Sequence, residues 1–324
     1  MNKAFSKRRI VLLISLTVLV LIYIAQLWSS SRTGVKIIRT EGEPSKIVIT
    51  QGMDTEGEIQ VEKSADGNWT LGSKKYIADE NSVSSIINAI KEIKILGTAA
   101  ALSGDGSRYG LDDASKITVE IFDGEKSLRS AVIGKNTSTG NQSYIQLDGK
   151  NTILLANKAL HSIFDTSEDA LRSKKVFSLS PKEISSVMVT GESGTFSVKK
   201  ESPASSEQTE EDAPLATVWL LEKADNYDGE KISSEKVSAW VNSLSSINAA
   251  SWADEETSAS TSANLAEITI TAQGKDYTVQ LISEEKISEA ETKYLCKSNQ
   301  SPYLFYIPAY TAGNIKKQLK DLFD

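Results

Sequence analysis

Apolar residues recur along this chain at two intervals, and those intervals predict its elements. Val83, Ile86, Ile87, Ile90 and Ile93 fall at i, i+3, i+4, i+7 and i+10, which places them on one face of a helix over residues 80–95. Asp79 supplies its N-cap, and Glu80 adds a favourable charge at its positive end. Val237, Trp240, Val241, Leu244 and Ile247 repeat the stripe 154 positions later and predict a helix over 233–248. A tryptophan on a short apolar run precedes each stripe (Trp69-Thr-Leu71 and Trp219-Leu-Leu221). Strand-like segments with the two-residue period of a half-buried surface surround both. In the first half these are 35–38, 46–51, 58–62, 117–122, 128–133, 144–147 and 152–156. In the second they are 186–190, 195–200, 217–222, 267–272, 277–282, 293–297 and 304–307. Asp123-Gly124, Asp148-Gly149 and Gly274-Lys275 fall between strands as hairpin turns, so the strands are expected to run antiparallel.

The pattern predicts an α+β fold of two tandem repeats after one N-terminal transmembrane helix. Each repeat is expected to be a mainly antiparallel sheet with one packed amphipathic helix and a short closing helix. The closing helices are Leu160-His-Ser-Ile-Phe-Asp165 and a segment at 310–322. The first repeat is expected over 46–165 and the second over 184–324, with a linker at 166–183. Residues 201–216, an acidic Pro/Ser stretch with too few apolar side chains to pack, are expected to be a disordered insertion in the second.

Ahead of the repeats, a basic tail at 1–9 leads into an apolar run at 10–28, followed by a tether and first strand at 29–45. At ~1.5 Å per residue the run reaches about 28 Å, close to the ~30 Å hydrocarbon core of a bilayer. Lys3, Lys7, Arg8 and Arg9 precede it with no acid among them, the charge bias of an uncleaved signal anchor whose N-terminus stays in the cytoplasm. The expected location is the inner (cytoplasmic) membrane, single-pass, with lipid around residues 10–28 and the bulk periplasmic or extracellular.

Charge and reactive residue types narrow the function classes. The chain carries 36 basic against 43 acidic residues, a net charge of −7, and the basic tail leaves the remainder more acidic still. Such a body repels phosphate backbones, so nucleic acid is not an expected partner. Cys296 is the only cysteine and His161 the only histidine, which excludes an intramolecular disulfide, a cysteine metal cluster and any zinc site needing several imidazoles. Cys296 reads as a small apolar strand residue and His161 as a solvent-facing helix residue. Gly191-Glu-Ser-Gly194 is one residue short of a nucleophile elbow and reads as a hairpin turn. Asp112-Asp113 are adjacent on an exposed turn, with nothing to raise a carboxyl pKa. Gly104-Asp-Gly-Ser107 lacks the further acids and closing Glu of a calcium loop. No catalytic, cofactor or metal residue is expected; Arg108 and Tyr109 are the candidate contact surface.

The order of features in the first half resembles a bacterial family known as domain of unknown function 4340. The resemblance rests on Trp69-Thr-Leu71, Ala78-Asp79 leading into the apolar helix, Tyr109-Gly-Leu-Asp112, Ile133-Gly134, Tyr144-Ile145 and Leu171-Arg-Ser-Lys-Lys-Val-Phe177. It covers most of residues 45–200; the second half lacks the Tyr-Gly-Leu stretch and carries the acidic insertion. It implies a membrane-anchored extracytoplasmic protein, encoded in many members beside ABC-type transporter components that resemble gliding-motility systems. It implies no catalytic or ligand residue. The expected function is a non-enzymatic accessory or scaffold subunit of such a transport complex. The alternatives are a cell-envelope hydrolase with an Asp/Glu pair and an extracytoplasmic ligand-binding sensor.

Overall fold

Alternation of buried and half-exposed strand positions builds both halves of the molecule. The computed structural model describes residues 12, 14–24, 35–52, 57–102, 104, 106–201, 218–225, 229, 231–254, 264–288 and 291–323. It divides into two units, Met1–Ser173 and Lys174–Asp324.

In the first unit a helix at 14–24 (α1) is followed by β1 (Lys36–Arg39), β2 (Lys46–Gln51), β3 (Ile59–Lys63), β4 (Trp69–Leu71) and β5 (Tyr76–Ile77). Then come α2 (Glu80–Lys91), β6 (Glu92–Ala101), β7 (Ile117–Asp123), β8 (Lys126–Asn136), β9 (Ser143–Leu147) and β10 (Thr152–Ala156). Two short helices, α3 (Leu160–Phe164) and α4 (Glu168–Leu171), end the unit. The ten strands form one antiparallel sheet in the order β1-β6-β10-β9-β8-β7-β2-β3-β4-β5. Alternate side chains such as Ile47, Ile49, Ile121, Ile133 and Ile145 are fully buried in one core with Val83 and Ile90 of α2 and Phe164 of α3. Asp79 caps α2, its Oδ1 accepting from the Ser82 amide at 2.8 Å.

The second unit runs β11 (Lys175–Ser178), β12 (Ile184–Gly191), β13 (Gly194–Lys200), β14 (Trp219–Ala224), α5 (Ser234–Leu244), β15 (Ser246–Asn248) and β16 (Ser251–Trp252). It continues with β17 (Ala266–Ala272), β18 (Lys275–Lys286), β19 (Thr292–Ser298), β20 (Ser301–Pro308) and α6 (Ala309–Ile315). Eight strands form an antiparallel sheet in the order β14-β13-β12-β17-β18-β19-β20-β16, and β11 pairs with β15 in a separate sheet of two. Val237, Trp240, Val241 and Leu244 of α5 are buried in the same core as the inward residues of that sheet.

The expected fold class and location both need correction. Among the described residues no helix is long and apolar enough to cross a membrane. The described helical residues of this segment are 12 and 14–24, and their side chains are exposed. The other positions of the predicted 10–28 span lie outside the described residues, and the single-pass inner-membrane placement drawn from it does not stand. Among the described residues, three unequal antiparallel sheets of ten, two and eight strands stand where a membrane helix and two equivalent α+β repeats were expected. Sheet dominates because residues assigned to helix ends and linker are strands: Glu92–Ala101 continues directly from α2, and Lys175–Ser178 falls within the 166–183 stretch. Among the described residues, strands β1 and β5 have no counterpart in the eight-stranded sheet, and β15 lies outside that sheet. Apart from Glu201, the acidic 201–216 stretch lies outside the described residues.

Candidate functional site

The Gly106–Leu111 loop is pinned onto β8. Ser107–Tyr109 form a single 3₁₀ turn between Gly106 and Gly110, whose φ values of 70° and 68° are left-handed. A Cβ on Gly110 would lie 2.7 Å from the Lys135 amide nitrogen, and one on Gly134 would lie 2.2 Å from the Tyr109 carbonyl oxygen. The Tyr109 ring meets Tyr144 edge-on at 5.0 Å between centroids, and Leu111 is buried. Three motifs separated in sequence, Tyr109-Gly-Leu111, Ile133-Gly134 and Tyr144-Ile145, thus converge in one packed knot. Of the two candidate contact residues, Tyr109 is half-buried inside this knot. Arg108 is exposed, its guanidinium carbon 5.9 Å from the Tyr109 ring centre.

A second knot gathers the remaining motifs. The Ala78 amide donates to the Trp69 carbonyl at 2.9 Å, the Asp79 amide to Leu171 at 2.8 Å, and the Ser173 amide to Ile77 at 2.9 Å. The Arg172 guanidinium lies 3.7 Å from the centre of the Tyr76 ring, the stacking position of a cation on a π-face. Both knots spend their residues on packing and backbone pairing.

The open surface lies elsewhere in the first unit. Strand β1 pairs with β6 from Glu92 to Ile95, whereas β10 pairs with β6 from Ile95 to Ala101. Among the described residues nothing pairs with the β1 side of β6 beyond Ile95. Gly97, Thr98 and Ala99, all small, are exposed there. A groove of about 840 Å³ lies over this region, with Ile38, Leu96, Leu147 and Leu154 giving it apolar lining. Lys36, Arg129 and Lys150 bring positive charge to it, against the single acid Asp148. Arg129 is held rigidly: Nη1 meets Asp148 Oδ2 at 2.8 Å, Nε donates to Thr40 Oγ1 at 3.0 Å and Nη2 to the Arg39 carbonyl at 3.2 Å. Lys36 and Lys150 form no ion pair among the described residues. A basic, apolar-lined groove beside an open strand edge can take an extended segment with apolar side chains and an acidic flank. None of its residues stands out in the linear pattern, because Arg129 occupies an ordinary polar position of a strand. Only the pairing of β1, β6 and β10 shows what surrounds it.

The reactive residue types take structural places. Cys296 is fully buried, and desolvation pushes its thiol pKa up, which keeps it protonated and unreactive. His161 lies on α3, half-buried, with its amide donating to Ser143 Oγ at 3.3 Å. Asp113 pairs with Lys116, and Gly191 faces Gly194 across the β12–β13 hairpin. Asp105 of the glycine-rich loop lies outside the described residues, among which no group of three or more His, Cys, Asp or Glu is placed to hold a metal ion.

The family model described as Domain of unknown function (DUF4340) matches residues 69–267, from β4 in the first unit to the start of β17 in the second. No curated protein and no solved structure matches the chain. With more than half of its length covered by that match, the chain belongs to the DUF4340 family.

Proposed function

We propose that the chain is a non-enzymatic docking subunit that binds an extended segment of an ABC-type transport complex along the open edge of β6. The observation that carries this reading is the coincidence of a strand edge of small residues, unpaired among the described residues, with a groove both apolar and basic. Added strands gain main-chain hydrogen bonds from such an edge and specificity from alternate side chains in the groove beside it. The two lysines, without ion-pair partners among the described residues, favour an acidic flank on the incoming segment, against the background of an acidic chain. The family resemblance is what points to a transporter as the partner.

Gly97 makes the reading testable. A Cβ there meets nothing within 4 Å and the backbone is not left-handed, so Gly97→Trp fills the groove without disturbing the core. The full-length chain is to be co-purified with crosslinking from its native cells, beside Gly97→Trp of equal melting temperature. Recovery of identified permease or ATPase subunits with the wild type, reduced about tenfold by the variant, supports the proposal; tenfold is about 1.4 kcal/mol of binding. Recovery of the chain alone, or equal recovery by both forms, overturns it.

A further inference from the structure

A second cavity, of about 490 Å³, opens at one end of the eight-stranded sheet, wholly within the second unit. Strand ends supply one side of it: Asp225 follows β14, Glu192 sits in the β12–β13 turn, Ala266 begins β17 and Glu284 lies on β18. The segment after α6, from Lys316 to Leu319, supplies the other. Val189, Phe196, Leu265 and Leu319 add apolar lining. Its size falls within the ~300–1,000 Å³ range of small-molecule sites.

The charges of this cleft are incompletely matched. Lys316 Nζ donates to the Tyr294 hydroxyl at 3.1 Å, and that hydroxyl donates to Glu284 Oε2 at 2.9 Å. Lys316 also lies 4.3 Å from the Tyr294 ring centre, so one lysine and one carboxylate are joined through a buried tyrosine. This relay ties the C-terminal segment to β18 and β19 and gives the cleft a fixed wall. Asp225 accepts from the Thr195 amide through Oδ2 at 2.9 Å and forms no ion pair among the described residues. Glu192 and Lys317 likewise form none. Among the described residues, two exposed carboxylates and one half-buried ammonium group therefore border the same apolar-lined space without an ion-pair partner.

We infer that this cleft binds a small zwitterion with an apolar side chain, an amino acid or short peptide with both ends free. Its ammonium group is held by Asp225 and Glu192, and its carboxylate by Lys317. A simple anion would meet three carboxylates against two lysines, and a simple cation would leave Lys317 uncompensated. A zwitterion supplies both missing charges in one molecule, while its side chain displaces water from the apolar lining. The site is separate from the β6 edge and stands whether or not that edge docks a partner.

Calorimetric titration of the full chain with leucyl-leucine tests it, with the N-acetyl and C-terminal amide forms of the same dipeptide as capped probes. The dipeptide is expected to bind, and each capped form to bind at least about tenfold more weakly. Asp225→Asn, which keeps an oxygen for the Thr195 amide, should lose the discrimination against the acetylated form. Lys317→Met should lose the discrimination against the amide. Unchanged melting temperatures establish that both variants fold; if Asp225→Asn melts early, the Lys317→Met arm decides alone. No binding of leucyl-leucine at millimolar concentration overturns the inference. Equal affinity for the free and capped forms overturns it too, since the apolar lining alone would then be responsible.

Discussion

The carbonyl oxygen of Tyr109 stands 2.2 Å from where the Cβ of any side chain at Gly134 would lie. Gly134 is not left-handed, so glycine is needed there for space and not for backbone freedom. Gly134→Ala must lift the Tyr109 turn off β8 or bend β8 away from it. Overpacking against backbone, which cannot rotate aside, places the cost near the top of the usual ~1–3 kcal/mol. Gly124 is the contrast: its φ of +57° is left-handed, but nothing lies within 4 Å of an added Cβ. Gly124→Ala should cost only the conformational penalty of about 1 kcal/mol. Urea midpoints measure both, and a Gly134→Ala loss no larger than that of Gly124→Ala contradicts the close approach.

Arg172 and Tyr76 close the second knot, with the guanidinium 3.7 Å from the ring centre. A stacked cation–π pair contributes about 0.5–2 kcal/mol. A double-mutant cycle over Arg172→Ala and Tyr76→Ala should give a coupling energy near 1 kcal/mol. Arg172→Lys should recover only part of it, because an ammonium group cannot stack flat on a ring. Additive single losses would show that the two side chains act independently.

How far the sequence carries is clearest at Ile93 and Ile247. Each ends an apolar stripe that reads as helix, yet Ile93 lies on β6 and Ile247 on β15, both buried. Position i+10 turns about 80° short of the first residue at ~100° per residue, so it fits the edge of a helical stripe as well as it fits the next strand. Glu92 decides the matter in the first case: with φ −129° and ψ 107° it is already extended. The segment at 310–322 fails differently. The helix ends at Ile315 and resumes as a 3₁₀ turn at Leu319–Leu322, which leaves Lys316 and Lys317 in the wall of a cleft. Individual strands and the Asp79 cap follow from local pattern. The two cavities do not, because one gathers residues from 36 to 154 and the other from 189 to 319. Only strand pairing brings them together, and the knots that carry the family signature turned out to be packing.

Helices α2 and α5 start with different caps. Asp79 Oδ1 accepts from both the amide and the hydroxyl of Ser82 at 2.8 Å, while Ser233 makes no side-chain capping bond to α5. Asp79→Ala should therefore cost about 1–2 kcal/mol, the range for a working N-cap. Ser233→Ala should cost only a few tenths. Thermal melts of the two variants check this, and equal losses would mean that the cap bond at Asp79 adds nothing.

Glu62 connects two strands and a turn to solution pH. It lies on β3, with Lys75 Nζ at 2.6 Å and Lys46 Nζ at 3.2 Å from its two oxygens. The hydrogen bonds from Lys75 and then Lys46 hold its carboxyl below the ordinary value of 4.5, and burial opposes them. A lowered folded pKa means that the unfolded chain takes up the proton first as pH falls. The stabilisation is therefore complete above about pH 4.5 and disappears as pH drops through the folded value. The side chain is 33% exposed, so solvent screening keeps the contribution to about 0.5 kcal/mol. Glu62→Gln should lower stability by that amount at neutral pH and leave it unchanged in strong acid, where both forms are neutral. The gap should also shrink at 1 M salt, where the screening length falls to about 3 Å. Urea midpoints of wild type and Glu62→Gln, followed from neutral into acid, measure it; a gap that stays constant through the acid range would mean that the lysines contribute packing and not charge.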